Sequence, residues 1–228
     1  REAVANPRGM ARALGTTLRL ISRARGRVVR NLAYLAEAVQ LKRDCAAEGV
    51  DHVHAHWSTN TAAAALLCRR LGGPSYSFTA HGPDEFHHLE ANATAEKIEG
   101  ASFVAAITRF CRELLNAAAG NRHAGRIRII RCGVDLAETA PRADAAPPPG
   151  ASTTLVCVGR LCWQKAQTEL VDAVARVAPR HPELRLVLIG DGDARPEIEA
   201  RIARHGLGGR VELMGWRSNA EVLDIVSR

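Results

Sequence analysis

Short runs of strand-forming residues alternate with longer runs of helical periodicity along most of this chain, and this alternation constrains the fold more than any other feature. The strand candidates before residue 138 are 51–56, 75–79, 102–107 and 126–131. Those after residue 153 are 154–158, 184–190 and 210–215, with a helix predicted over 196–205. Strands that alternate with helices predict parallel sheets covered on both faces. We therefore expect an α/β protein with two parallel-sheet domains.

A proline-rich stretch, ETAPRADAAPPPGAST at 138–153, separates the two sets of strands. Its composition is typical of a linker. The predicted organisation is a first domain over 1–137, the linker over 138–153 and a second domain over 154–228. The chain begins at Arg1 and ends in a helical pattern without a stop signal. We therefore expect a fragment in which both domains are incomplete.

The positive charge of the chain is concentrated at its start. The net charge is +7, and residues 1–30 contain eight arginines and one acidic residue. Leu14, Leu18 and Ile21 recur there at roughly helical spacing, which predicts a basic amphipathic surface. Such a surface favours contact with anionic lipid headgroups, although a solvated arginine face on an ordinary packing helix explains it equally well. Nucleic acid is disfavoured, because aromatic residues are not interleaved with the arginines.

The cysteines and the apolar runs indicate the cellular compartment of the protein. The six cysteines are scattered without a C-x-x-C pair, in a chain too large to need disulfides, which favours a reducing cytoplasm. No apolar run approaches the roughly 18 residues that a membrane span needs. The prediction is a cytoplasmic protein with peripheral contact at the inner face of the membrane.

The loop VGRLCWQK at 158–165 places two cations where a strand gives way to a helix. A helix N-terminus offers unpaired N–H groups and the positive end of a dipole, and it therefore favours an anion. Arg160 and Lys165 add two full charges after Gly159. The loop suits a diphosphate, although it is not a Walker A loop. Two solvated surface cations are the alternative.

Three further features raise alternatives. The loop IGDGDA at 189–194 reads as ordinary turn chemistry, with a divalent metal at its aspartates as the weaker interpretation. His54 and His56 point to one face of their strand, yet their spacing does not match a known zinc ligand set. His81, in TAHG at a predicted strand end, can orient a reacting group, although position alone favours a structural role. No metal and no cofactor are expected.

Several stretches together resemble the retaining glycosyltransferases of family 4, which have the two-Rossmann-domain GT-B fold. HVHAHWSTNTAAAALLCRRLGGPSYSFTAHGPDEF resembles the acceptor domain of members that act in exopolysaccharide and colanic-acid synthesis, and VAAITRFCRELL resembles the segment that follows. IIRCGVDL is similar to the crossover into the donor domain. LVCVGRLCWQKAQTELVDAV and LVLIGDGDARPEIEARIARHGLGGRVELMGW are similar to the nucleotide-sugar half.

The resemblance implies a role for each candidate residue. Arg160 and Lys165, in the loop that Gly159 opens, would hold the donor diphosphate. His81 would lie in the cleft close to the transferred sugar. Gly215 and Trp216 would border the nucleotide base. The implied partners are a nucleotide-sugar donor and a lipid-linked or saccharide acceptor.

The chain also departs from the family pattern. Ala166 stands where glycine commonly follows the lysine, and Cys132 stands where asparagine commonly precedes GVD. The N-terminal glycine-rich loop and the E-x7-E motif of the family are missing from the chain. No side chain is an evident nucleophile, so the resemblance implies front-face transfer with retained configuration. A nucleotide-sugar epimerase of the same fold and a non-catalytic nucleotide-sugar binding protein are the alternatives.

Overall fold

The computed structural model describes residues 6–24, 27–133 and 153–227. The chain divides into two compact units, residues 1–133 and 134–228, which are described separately below. The predicted linker at 138–153 lies outside the described residues except for Thr153, and the predicted domain bounds stay predictions.

Unit 1 contains a four-stranded parallel sheet of order β1-β2-β3-β4. Its strands are β1 (His52–His56), β2 (Ser75–Ala80), β3 (Val104–Ala106) and β4 (Ile127–Ile129). Its helices are α1 (Pro7–Arg23), α2 (Val28–Ala47), α3 (Asn60–Arg70), α4 (Pro83–Phe86), α5 (Thr94–Gly100) and α6 (Arg109–Ala118), with a 3₁₀ turn at Ala124–Arg126. Each strand pairs with the next one along the chain, so the helices between them are the crossovers that parallel pairing requires.

Local sequence accounts for several of these helices. Pro7 occupies the first turn of α1, and the Asn6 side chain accepts the Gly9 N–H at 3.0 Å. The alanine-rich run of α3 has the highest helix propensity. Thr108 caps α6 by accepting the Cys111 N–H at 3.0 Å. The Thr108 cap places the start of α6 directly after the end of β3.

The main core of unit 1 lies between the sheet and α3, α5 and α6. It contains Tyr76, Phe78, Leu66, Ile98 and Leu115, all buried. A second cluster, which includes Leu20, Ala38 and Leu67, packs α1 and α2 onto α3. Full burial of one such large side chain contributes about 1.5–3 kcal/mol.

The sequence predicted helices on both faces of the unit 1 sheet, and the coverage of the opposite face differs from that prediction. Alternate residues of β1 put His52, His54 and His56 on that face, and His54 and His56 are exposed. Arg128 of β4 is also exposed there, above the Phe103 ring. Among the described residues, helices therefore cover one face of this sheet.

Unit 2 contains a three-stranded parallel sheet of order β5-β6-β7. Its elements are β5 (Thr154–Val158), a 3₁₀ turn at Trp163–Lys165, α7 (Gln167–Val177), β6 (Arg185–Ile189), α8 (Arg195–Arg204), β7 (Val211–Gly215) and α9 (Asn219–Val226). Its core, between the sheet and α7 and α8, includes Leu186, Leu188, Val171 and Ile198.

Each predicted strand forms, with its ends within two residues of the prediction. The largest differences are at β3 and β4, which are three residues long. Flanking residues still bond the ladder, since Ser102 N–H donates to the Tyr76 carbonyl at 2.7 Å and Ile130 N–H to the Ala106 carbonyl at 2.9 Å. The prediction of two parallel-sheet α/β domains is confirmed.

Candidate functional sites

The loop after β5 is held in place by the loop after β6. The Gly159 N–H donates to the Ile189 carbonyl at 2.9 Å, and the Leu161 N–H donates to the Asp191 carbonyl at 3.0 Å. In return the Leu161 carbonyl accepts the Ala194 N–H at 3.0 Å. The two loops therefore form one backbone layer at the carboxyl ends of β5 and β6, where parallel sheets bind ligands.

Two glycines make this contact possible. A Cβ atom at Gly190 would lie 2.1 Å from the Gly159 carbonyl oxygen, and one at Gly192 would lie 2.2 Å from the Leu161 carbonyl oxygen. No side chain fits at these separations. The interpretation of IGDGDA as an ordinary turn is therefore incomplete. Its two glycines allow this loop to pack directly against the Arg160 loop and support it. Asp191 is engaged locally, accepting the Gly192 N–H at 2.8 Å.

Arg160 and Lys165 lie exposed beside the N-terminus of α7. Within residues 153–227, neither side chain forms an ion pair. Ala166 is the N-cap of α7 and supplies no side-chain acceptor, so the first N–H groups of this helix lack a side-chain cap. Two cations at a helix start without an N-cap hydrogen bond favour an anion, and the Glu169 carboxylate in the first turn of α7 offsets part of that positive charge.

Gln167 fixes this loop and was missed by the sequence analysis. The residue is 2% exposed, and its Nε2 donates to the Arg160 carbonyl at 3.0 Å. A glutamine in the first turn of a helix is a common residue there, so nothing in the sequence marks this contact. The side chain holds the backbone that carries the Arg160 guanidinium.

Gly215 and Trp216 follow β7 at the same edge of the unit 2 sheet. The Gly215 carbonyl accepts the Gly190 N–H at 2.8 Å, which ties this turn to the two loops described above. The Trp216 side chain is 75% exposed, and Trp163 in the Arg160 loop is 72% exposed. Exposed indole faces can stack on a planar ring such as a nucleotide base. The unit 2 candidates therefore share one sheet edge.

His81 follows β2 in unit 1 and contacts the last residue of β1, His56, and the next residue, Trp57. Its Nε2 lies 2.8 Å from His56 Nδ1, and the two rings stack with centroids 5.1 Å apart. The centre of the Trp57 ring lies 5.1 Å from the centre of the His81 ring. The Trp57 backbone has φ of 77°, a rare conformation for a residue with a side chain. Non-glycine residues in such conformations cluster at functional sites.

Glu85 holds the backbone around His81. It is 1% exposed, and its Oε1 accepts the His81 N–H at 2.6 Å and the Gly82 N–H at 3.3 Å. Its Oε2 accepts the Ser58 N–H. One buried carboxylate thus joins the turn after β1 to the turn after β2. The sequence analysis missed this role, because the two turns are 27 residues apart.

Lys97 of α5 holds the other side of the turn after β1. It is 2% exposed, and its Nζ donates to the Ser58 and Thr59 carbonyls, each at 2.7 Å. Burial lowers the pKa of Lys97 to about 7, and the nearby charge of Glu85 opposes part of that shift. A buried lysine that satisfies two carbonyls is a structural group with one N–H left for another partner.

The other two histidines of β1 form hydrogen bonds with hydroxyl groups of β2. His52 lies 2.8 Å from Ser75 Oγ, and His54 lies 2.7 Å from Ser77 Oγ and 2.8 Å from Thr79 Oγ1. Burial and the neighbouring histidines lower the pKa of His54. Over the described ranges there is no group of three or more His, Cys, Asp or Glu arranged to hold a metal ion.

None of the helices in the described residues is both long enough and apolar enough to cross a membrane.

Two α/β units, each with a parallel sheet and its candidate loops at the carboxyl strand ends, define a Rossmann-like class of protein. The model of Glycosyltransferase Family 4 matches residues 4–138, and that of Glycosyl transferases group 1 matches residues 152–228. The first match alone covers more than half of the chain. The chain belongs to glycosyltransferase family 4.

Characterised relatives are distant and longer. The chain is 27% identical over 232 residues to a 2-deoxystreptamine glucosyltransferase of Streptomyces kanamyceticus, with 90% of the chain and 58% of the relative covered. It is 25% identical over 188 residues to the phosphatidylinositol N-acetylglucosaminyltransferase gpi3 subunit of Schizosaccharomyces pombe, with 79% and 40% covered. The chain thus spans about half the length of the relatives it matches.

Solved structures show the fold. The Anabaena HepE protein in complex with UDP-glucose has a TM-score of 0.65 at 18% identity, with 83% of this chain and 54% of that chain covered. A putative UDP-N-acetylglucosamine 2-epimerase from Listeria monocytogenes has a TM-score of 0.57 at 15% identity, with 85% and 54% covered. The fold is therefore of the GT-B type.

Proposed function

We propose that the protein transfers a sugar from a nucleotide-sugar donor to a lipid-linked or saccharide acceptor, with retained configuration, in polysaccharide synthesis. The observation that carries the proposal is the loop of Gly159, Arg160 and Lys165. Its two cations are unpaired among the described residues of unit 2, and they lie at an uncapped helix N-terminus. A diphosphate has the charge and the size to occupy that position.

The chemistry of the leaving group explains why fixed cations matter. When a glycosyl group leaves a nucleoside diphosphate, negative charge grows on the departing phosphate while the sugar becomes positively charged. Arg160 and Lys165 would therefore stabilise the transition state more than the ground state, which is the condition for catalysis. The same two charges can neutralise the diphosphate, and the proposal includes no metal and no cofactor.

The base and the sugar would each have a separate contact. Trp216, which is largely exposed at the end of β7, is proposed to border the nucleotide base beside Gly215. His81, held by Glu85 and stacked on His56, is proposed to act on the sugar side as the catalytic residue. Because its Nε2 lies 2.8 Å from His56 Nδ1, the other ring nitrogen, Nδ1, is proposed to bind a sugar hydroxyl group.

Relatives and neighbours support a nucleotide-sugar reaction. Both named relatives are glycosyltransferases, and HepE was solved with UDP-glucose. The transfer type, the acceptor and the polysaccharide context remain proposals that rest on the family resemblance. Front-face transfer is preferred, because the candidate site offers no evident side-chain nucleophile for a double displacement.

Contact with an anionic membrane at the cytoplasmic face is proposed for α1. The helix buries Gly9, Ala13 and Leu20, so part of it packs as an ordinary helix. Its other side exposes Leu14 and Leu18 among arginines, at 42% and 67% exposure. Apolar side chains between cations suit the headgroup region of an anionic bilayer. Stronger sedimentation with anionic vesicles than with neutral vesicles, weakened by salt, is the expected result.

Two alternatives use the same diphosphate loop. A nucleotide-sugar epimerase is favoured by one observation, the fold shared with the Listeria protein, and a non-catalytic nucleotide-sugar binding protein needs only the loop itself. Transfer requires an acceptor, whereas epimerisation does not. Conversion of the donor sugar without acceptor identifies the epimerase, and tight donor binding without turnover in the full-length protein identifies the binding protein.

The test of the proposed function uses the full-length protein. It is incubated with UDP-, GDP- and TDP-sugars, with and without a membrane extract as acceptor source, and release of the nucleoside diphosphate is measured. The anomeric configuration of any product is read by NMR. Acceptor-dependent release with a retained anomer supports the proposal. An inverted anomer, or conversion of the donor sugar that is independent of acceptor, refutes it.

A further inference from the structure

Unit 1 contains a pocket of about 330 Å³ that the proposed function does not use. We call it the basic pocket. It is lined by Leu20, Ala24, Arg27, Arg30, Asn31, Tyr34, Thr59, Asn60, Ala63, His88, Ala91, Asn92 and Lys97. Three of these residues carry a fixed or buried cationic group, and none is acidic. Its volume suits a small polar group rather than a whole nucleotide sugar.

Two helix N-termini line the basic pocket. Arg27 is the N-cap of α2, and Thr59 is the N-cap of α3. Neither residue makes a side-chain cap hydrogen bond, so the first N–H groups of both helices lack the usual acceptor. Both helices exceed ten residues, and the positive ends of their dipoles therefore point to one region. Such an arrangement favours an anion.

The side chains of the pocket add charge to these dipoles. Arg27 and Arg30 are exposed at its rim, where the Arg30 guanidinium lies 5.9 Å from the Tyr34 ring centre. Lys97 lies at its base and is 2% exposed. Its Nζ donates to two carbonyls, and its third N–H has no partner among the described residues. Glu85 and Glu96 favour the charged form of Lys97, so its unused N–H is a donor for an anionic ligand, while Arg27 and Arg30 supply the remaining positive charge of the lining.

The pocket is connected to the His81 loop through a single turn. Lys97 binds the Ser58 carbonyl, and Glu85 accepts the N–H of the same residue while it also holds the His81 N–H. An anion at Lys97 would therefore lie on one side of this turn and His81 on the other. A molecule that reaches past the turn can contact both.

We propose that the basic pocket binds a phosphate group of the acceptor, held by Arg27, Arg30, Lys97 and the N-termini of α2 and α3. The assignment to the acceptor rests on the proposed transfer function, in which the donor diphosphate occupies the Arg160 loop. The phosphate can belong to a lipid headgroup or to a soluble phosphate ester. Near the rim, α2 exposes three apolar side chains, those of Val28, Val29 and Leu32. They can contact the chains of a lipid, and they do not block a soluble phosphate ester.

The test begins with binding of glycerol 3-phosphate and inorganic phosphate to the full-length protein. Calorimetric titration is done at constant ionic strength set with sodium chloride. Arg27→Gln and Arg30→Gln should each weaken binding about tenfold, because each removes a charge-assisted hydrogen bond from the phosphate. Arg43→Gln, an exposed residue near the other end of α2, is the matched control and should leave affinity unchanged.

Vesicles distinguish the two sources of phosphate. Phosphatidylcholine vesicles with phosphatidic acid are compared with pure phosphatidylcholine for the parent, Arg30→Gln and Arg43→Gln. Arg30-dependent binding that is confined to phosphatidic acid vesicles identifies a lipid phosphate. Arg30-dependent binding of glycerol 3-phosphate identifies a soluble ester. The proposal is overturned if neither probe binds beyond the chloride background, or if Arg30→Gln binds as the parent does.

A parallel titration with UDP separates this inference from the proposed function. Arg27→Gln and Arg30→Gln should bind UDP as the parent does, which also shows that they are folded. If the protein binds UDP and transfers sugar without Arg30-dependent phosphate binding, the phosphate pocket alone is wrong. If phosphate binds through Arg30 while neither UDP nor a UDP-, GDP- or TDP-sugar is used, the proposed function is wrong and the acceptor assignment fails with it.

Discussion

The Arg160 loop of unit 2 and the His81 loop of unit 1 each follow the carboxyl end of a strand in a parallel sheet, yet they are stabilised by different means. The Arg160 loop is held by backbone hydrogen bonds to the next loop, which glycines allow to approach closely. Its charged side chains remain exposed. The His81 loop is held by the buried Glu85, which also binds the turn after β1, and the buried Lys97 holds the other side of that turn.

This difference separates ligand binding from structural support in the two loops. In unit 2 the exposed cations can be replaced without leaving a buried group unpaired, so their loss should change binding more than folding. In unit 1 the ionisable groups are part of the interior. Removal of Glu85 leaves three backbone N–H groups without their acceptor, and removal of Lys97 leaves the Ser58 and Thr59 carbonyls without their donor. Changes beside His81 should therefore change stability first.

The largest effect is expected for Glu85→Ala. It removes the acceptor of three backbone N–H groups and leaves Lys97 buried without its nearest compensating charge. We expect a loss of about 3–5 kcal/mol in the free energy of unfolding of unit 1. Urea denaturation followed by circular dichroism measures it, with exposed Glu113→Ala as control. Equal stability of the two variants would show that Glu85 does not support the loop.

The next effect is a pH dependence from Lys97. Since its pKa is lowered from 10.5 to about 7, the unfolded chain binds a proton between these values that the folded chain does not. Stability should therefore rise with pH from 7 to 10, by up to about 1.4 kcal/mol per pH unit. Urea denaturation at several pH values compares the parent with Lys97→Met, which should lack this rise. Identical slopes would contradict the burial of a titrating lysine.

Donor affinity should respond only to the unit 2 loop. Arg160→Ala and Lys165→Ala in the full-length protein should each weaken nucleoside diphosphate binding by about 1.5–3 kcal/mol, with little change in stability. Calorimetric titration measures it, with exposed Arg176→Ala of α7 as the control.

His81→Ala should reduce transfer strongly while it keeps the affinity for free nucleoside diphosphate. The reason is that His81 is proposed to contact the sugar and not the phosphates. Steady-state transfer and the same titration test it. A diphosphate affinity that falls for His81→Ala and holds for Arg160→Ala would reverse the roles assigned to the two loops.

The same difference explains what the sequence could predict. The alternation of strands and helices predicted both sheets, and local spacing identified the loop of Gly159, Arg160 and Lys165, because its cations and helix start are adjacent in the chain. Glu85 and Lys97 were not recognised, since their partners in the turn after β1 lie 27 and 39 residues away. The basic pocket combines residues from four separate segments, and no local pattern marks it.

A smaller effect is expected for substitution of Gln167. This residue is a buried side chain that supports a loop otherwise held by backbone hydrogen bonds. Its buried side chain donates to the Arg160 carbonyl, so it acts on the ligand through the loop. Gln167→Leu should weaken diphosphate binding by about 1 kcal/mol, the usual contribution of one hydrogen bond. Gln167→Glu keeps the size and removes the donor, and it should behave similarly. Calorimetric titration of both variants beside the parent tests this, and unchanged affinity would mean that the loop is held by its backbone alone.

The smallest effect is expected at Ala166, where the chain departs from the glycine common in the family. Its backbone has φ of 54° and ψ of 33°, the left-handed region, which costs an L-residue with a side chain roughly 1–2 kcal/mol. Ala166→Gly removes that cost but adds roughly 0.4–1 kcal/mol of unfolded-state entropy. We expect a net gain of about 0.5–1 kcal/mol in the free energy of unfolding. The matched control is Ala173→Gly, exposed within α7, which should instead lose about 1 kcal/mol because glycine disfavours a helix interior. Urea denaturation measures both, and a loss at both positions would show that Ala166 is not strained.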